Sequence, residues 1–164
     1  METTVRAHIR KSKGKAGSSV RSYKRKSRGG SVLGVITMFR KKTGIKTPIS
    51  YDDKYNGKGT SVAYAETSFK ENLEIASHKI AVDTKAAKKE GKPLSQVINH
   101  ELGHILDREL VRNRKKPTDT FSKTSKGKSF LKAAYRKTKL PTGSNSYEKS
   151  NTEQFARLKE HGKI

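Results

Sequence analysis

One stretch of the chain constrains the fold more than any other. After Pro93, the residues Leu94, Val97, Ile98, Leu102, Ile105, Leu106 and Leu110 recur every three or four positions, which lines them along one side of an α-helix. Pro93 marks its start, because proline fits the opening of a helix where its missing N–H leaves no bond unmade. A helix striped in this way must bury that face, and the rest of the chain has to cover it. Cover is scarce. Leu, Ile, Val and Phe total 31 of 164 residues, just under the roughly 20% that, with high net charge, warns of disorder. One modest core, built on this helix, is what such a chain can furnish.

The segments that could cover the helix lie mostly before it. Ser31 can cap a helix carrying Val32, Val35, Ile36 and Phe39, with Gly44 as its stop. Ile45 to Tyr51 contains Pro48 and reads as an edge strand, Ser61 to Glu66 as a second strand, and Asn72 to Val82 as a third strand or a hairpin. Asp83 to Lys92 reads as a polar loop. Beyond the central helix, a Lys-, Thr- and Ser-rich connector from Asn113 to Lys128 leads to a short helix, Ser129 to Lys137, with Phe130, Leu131 and Ala134 inward. A turn at Pro141 to Ser146 precedes a last helix from about Thr152 to Glu160, with Phe155, Ala156 and Leu158 as its apolar positions. The fold class expected for residues 31–164 is therefore α+β, a small mixed sheet packed on the central helix.

Residues 1–30 cannot join that core. They hold ten Lys or Arg against one acid, Glu2, with only Val5, Ile9 and Val20 as sizeable aliphatics. The decad Val5 to Gly14 returns fifteen residues later as Val20 to Gly29. Two copies make a flexible basic arm. Its cations Arg6, Arg10, Lys11, Lys13, Arg21, Lys24, Arg25, Lys26 and Arg28 suit phosphate contacts without base reading, and Tyr23 is available to stack on a base. A net charge of +23 over the whole chain points the same way, to a polyanionic partner such as nucleic acid. A solvated tail with no fixed target is the plainer reading. An organelle-targeting peptide is discounted, because the arm lacks an apolar stripe and is broken by Gly14, Gly17, Gly29 and Gly30.

Composition also removes whole classes of function. With no cysteine, disulfide scaffolds, Cys-ligated zinc modules and thiol nucleophiles are excluded. The longest mostly apolar run, Val32 to Phe39, is interrupted by Gly34 and Thr37 and falls far short of a membrane span, so no membrane role is expected.

The chemistry sits on the central helix as His100-Glu101-Leu102-Gly103-His104. Imidazoles at i and i+4 stand one above the other on one helical face, so both can reach a single Zn²⁺ at about 2.0–2.1 Å. Glu101 lies beside the metal, placed to take a proton from an attacking water and return it to a leaving group. By chance alone, five His and ten Glu would give H-E-x-x-H in about one such chain in a hundred. Gly103 adds to the argument, since an interior glycine costs a helix about 1 kcal/mol against Ala and implies that something approaches closely there.

A catalytic zinc keeps three protein ligands and an open position, and the third must come from elsewhere. His8 lies in the arm and His78 before the helix. Asp107, one turn beyond His104, is better suited to hydrogen-bonding a ligand imidazole. The last helix offers Glu153, Glu160 and His161. Packing through Phe155 and Ala156 would turn Glu153 toward the metal, whereas Glu160 and His161 near the helix end read as solvent-exposed.

The segment Ser146-Tyr147-Glu148-Lys149-Ser150-Asn151-Thr152-Glu153-Gln154-Phe155-Ala156, about fifty residues after His100 to Asp107, resembles the active-site half of the anthrax lethal factor-like metallopeptidases. These are gluzincins, zincins whose third ligand is a glutamate. The resemblance covers residues 94–160 and implies a zincin-like fold for residues 31–164, zinc on His100, His104 and Glu153, Glu101 as general base, and Tyr147 as a tyrosine that assists at the transition state. The paired basic arm loosely resembles arms of bacteriophage virion-associated proteins, which implies nucleic acid and virion assembly partners and a location in a virion or host cytoplasm. The leading expectation is a non-secreted zinc endopeptidase with a nucleic-acid-binding arm, its substrate aligned by strand addition to an edge strand within Asn72 to Val82. The alternative is a basic DNA-binding packaging protein that keeps the scaffold for structure, against which an intact Glu101 weighs. A metal-dependent nuclease fits the charge but not the ligands, since such sites favour carboxylate-bound Mg²⁺.

Overall fold

The computed structural model describes residues 31–57, 61–141, 143 and 145–164. The arm of residues 1–30, with Tyr23 and the nine cations expected to meet phosphates, lies outside the described residues. The described chain is α+β, with five helices and one three-stranded sheet: α1 (Val32–Thr43), β1 (Ile49–Asp52), β2 (Ala63–Phe69), β3 (Ile75–Val82), α2 (Thr84–Lys89), α3 (Leu94–Glu109), α4 (Ser125–Thr138) and α5 (Asn151–Glu160). A single 3₁₀ turn, Phe121–Lys123, precedes α4.

The strand order is β1-β3-β2. β1 runs parallel to β3 with Ile49 opposite His78, and β2 runs antiparallel to β3 with Thr67 opposite His78. The segment expected to offer an edge is therefore the central strand. Its backbone groups are taken on both sides, and the open edges belong to β1 and β2. β2 and β3 form a hairpin whose turn closes through Lys70 N–H to the Glu74 carbonyl at 2.8 Å. The Asn72 side chain accepts from Glu74 N–H at 3.1 Å there, and Leu73 takes a positive φ of 64°.

Three further expectations are corrected. The polar loop after β3 contains α2, nucleated by Asp83, whose carboxylate accepts from the N–H groups of Lys85 and Ala86. α4 begins four residues before the expected start, at a cap supplied by Thr124, whose hydroxyl accepts from Gly127 N–H. The earlier start puts Gly127, Leu131 and Tyr135 on the buried face at i, i+4 and i+8. Phe130, expected inward, is exposed, with its ring about 6 Å from those of Phe121 and Phe155.

α3 is shared by two apolar clusters. On one side Val97, Ile98, Leu102 and Ile105 pack with Ile36, Phe39, Ile80 and Val82 from α1 and β3. On the other, Leu106 borders Leu131, Tyr135, Phe155 and Leu158 from α4 and α5. Ile80, Ile98, Leu102, Ile105 and Leu158 are fully buried, each worth about 1.5–3 kcal/mol relative to exposure. No helix among the described residues is long and apolar enough to cross a membrane.

Candidate metal centre

α3 carries the centre and α5 completes it. His100 and His104 stand one turn apart on α3, their rings 5.0 Å apart and nearly perpendicular. α5 reaches them because Gly103 has no side chain. A Cβ there would fall 2.6 Å from the Ala156 Cα and 3.0 Å from the Ala156 carbonyl oxygen, closer than packed atoms can approach. α5 is capped by Ser150, whose hydroxyl accepts from Glu153 N–H. Phe155, Ala156 and Leu158 are buried and hold the helix down. This seats Glu153 across from the histidine pair, with Oε2 3.2 Å from His100 Nε2 and Oε1 3.2 Å from His104 Nε2.

The ligating atoms of His100, His104 and Glu153 all lie within 4.8 Å of one another, and together they could hold a metal ion. Two ligands each about 2.0–2.1 Å from a tetrahedral zinc sit about 3.3 Å apart. Glu153 meets the two imidazoles through different oxygens, each at 3.2 Å, close to that spacing, and two imidazoles with one carboxylate are a donor set zinc accepts.

The charges around the three side chains reinforce one another. Burial acts to raise the Glu153 carboxyl, but hydrogen bonds with both imidazoles and the Tyr147 hydroxyl win, and it is held well below the usual carboxylate range. For His100, burial acts to lower the pKa, yet its contacts with Glu153 and Glu160 reverse the sign and raise it to about 9. Glu101 is 6% exposed, and burial pushes its carboxyl up against the opposing pull of the two imidazoles. Tyr147 is an exposed residue whose hydroxyl end reaches Glu153, so that loss of water and then the Glu153 contact raise its pKa.

Two acidic residues are placed differently from expectation. Asp107 is fully buried, and its oxygens accept from the Ser122 N–H and hydroxyl, both at 2.7 Å. It ties the connector to α3 and does not hydrogen-bond a ligand imidazole. That position is filled by Glu160, expected at a solvent-exposed helix end. Its Oε2 lies 2.9 Å from His100 Nδ1, and its Oε1 accepts from the Gln96 side-chain amide. His161, by contrast, is exposed as expected. Gln96 was not singled out in the sequence. Its signal was positional: it lies four residues before His100, as His100 lies four before His104.

These groups face a cleft of about 860 Å³. One wall is formed by residues 61–65, at and just before the start of β2, and includes Tyr64 and Ala65. The floor carries His100, Glu101, His104 and Glu153. The sheet edge bordering the cleft is thus β2. Comparison with family models, with curated proteins and with solved structures finds no match for this chain.

Proposed function

We propose that the chain is a zinc-dependent endopeptidase of the gluzincin kind with a zincin-like fold, and that its basic arm binds nucleic acid. One observation carries the reading: a carboxylate from a second helix lies 3.2 Å from both histidines of an HExxH pair, beside a buried glutamate and within an open cleft. Held by His100, His104 and Glu153, zinc would supply Lewis acidity, polarising a scissile carbonyl and lowering the pKa of water.

The chain's own groups do the rest. Glu101 accepts the proton of the attacking water and passes it to the leaving amine. A carboxyl raised by burial suits a group that must both take and release a proton. Tyr147, with its hydroxyl already at Glu153, donates to the oxyanion that develops on the carbonyl. An extended substrate pairs with the free edge of β2, leaving its side chains to contact the cleft walls.

The test is a peptidase assay of the full, zinc-loaded chain over varied peptide libraries, with and without DNA. Cleavage should vanish with a chelator and return with zinc. A chain that binds zinc stoichiometrically and cleaves nothing in either condition sinks the peptidase reading.

The arm is tested separately, by salt. Deleting residues 1–30 removes ten cations and should lower the dependence of log affinity on log salt by several units, at about 0.9 per phosphate contact on duplex DNA. The remaining chain keeps 28 cations against 14 acids, so weaker binding should persist. An unchanged slope and affinity would free the arm of this role.

A further inference from the structure

Resting on that reading of the site, we propose that Glu160 is a positioning residue of the metal centre. It holds His100 by Nδ1 so that Nε2 faces the ion, and Gln96 holds Glu160 in turn.

The geometry is a chain of contacts through one imidazole. His100 Nε2 lies 3.2 Å from Glu153, while Nδ1 lies 2.9 Å from Glu160 Oε2. The other Glu160 oxygen is occupied by the Gln96 amide. The side chains of His100 and Glu160 are 21% and 17% exposed, so water competes weakly for these bonds. A neutral imidazole carries its proton on one nitrogen and a lone pair on the other. Once a metal takes Nε2, an acceptor at Nδ1 keeps the one remaining proton there and stops the ring from rotating.

Helix periodicity explains how two segments build this. Gln96, His100 and His104 are spaced by four on α3, and Glu153 and Glu160 are seven apart, two turns, on α5. One helix therefore delivers both a ligand and the group that orients its neighbouring ligand. The close approach at Gly103 fixes the height of both carboxylates against α3. Asp107 cannot take the part, because its oxygens are committed to Ser122.

The experiment measures zinc Kd by competition with a chromophoric chelator, using the full chain, together with the visible spectrum of the cobalt-substituted protein. Glu160→Ala should raise the zinc Kd by about 10–100-fold and shift the cobalt bands. Glu160→Gln, which keeps an acceptor for Nδ1, should recover most of the affinity. Gln96→Ala should cause a smaller loss than Glu160→Ala, and it keeps the test usable if Glu160→Ala folds poorly. An unchanged Kd in Glu160→Ala, or a Gln variant as weak as the Ala variant, overturns the proposal. If wild type binds zinc and Glu153→Ala loses it while Glu160→Ala does not, only the role of Glu160 fails. If wild type binds no zinc, the metal centre and this role fall together.

Discussion

Glu101→Gln is expected to slow peptide hydrolysis by about 10²–10⁴-fold while leaving zinc stoichiometry and the fold intact. Gln has the shape of Glu but cannot accept a proton. Glu101 is buried, and burial pushes its carboxyl up, so the neutral amide removes a charge that the folded chain carries at a cost. The melting temperature should hold or rise as activity falls, which separates loss of the base from loss of structure. kcat/KM on any cleaved peptide, bound zinc and thermal unfolding are the measurements. A variant as active as wild type would sink the enzymatic reading.

Gly103→Ala should be the most damaging of the small substitutions at the helix contact, and its sign is informative. In an unobstructed helix, Gly→Ala stabilises by about 1 kcal/mol. Here the new methyl carbon would meet the Ala156 backbone at 2.6 Å and the Lys159 Cβ at 3.1 Å. Backbone cannot turn aside as a flexible side chain can, so α5 must move. Overpacking of this kind costs about 1–3 kcal/mol, occasionally more. Because Glu153 and Glu160 ride on α5, zinc affinity should fall together with stability. Ser95→Ala, at an exposed position of the same helix, serves as the control and should do neither. A stabilised Gly103→Ala variant would show that α5 does not sit this close.

What could be read in advance follows from how local each feature is. α3 was legible because seven apolar residues at helical spacing leave few other solutions, and the His100–His104 pair came with it. Glu153 was legible because buried neighbours, Phe155 and Ala156, fix which way its helix faces. Gly103 was legible because it is expensive without a reason. α2 was not, since Thr84–Lys89 buries only Ala87 and owes its turn to the Asp83 cap, not to a stripe. The central place of β3 depends on partners on both flanks, which its own residues do not record. The sequence separation of the Gln96–Glu160 bond is 64 residues, so Glu160 was judged by its place near a helix end, where exposure is the ordinary outcome. Asp107 was assigned by proximity to His104, but its carboxylate faces Ser122, a residue in what read as a featureless connector.

His78 carries a consequence for how the sheet is seated on α3. It is 1% exposed, and its ring bridges Thr67 of β2 and Glu109 at the end of α3, with both contacts at 2.9 Å. Among the described residues this is the polar strut between the sheet and α3, and it stands at the far end of the helix from Gln96. Along the rest of the interface, Val97, Ile98, Leu102 and Ile105 of α3 pack against Ile80 and Val82 through apolar contact. Apolar contact alone tolerates small slides, whereas two buried hydrogen bonds through one ring fix register, so His78 sets where β2, and with it the cleft wall of residues 61–65, lies along α3.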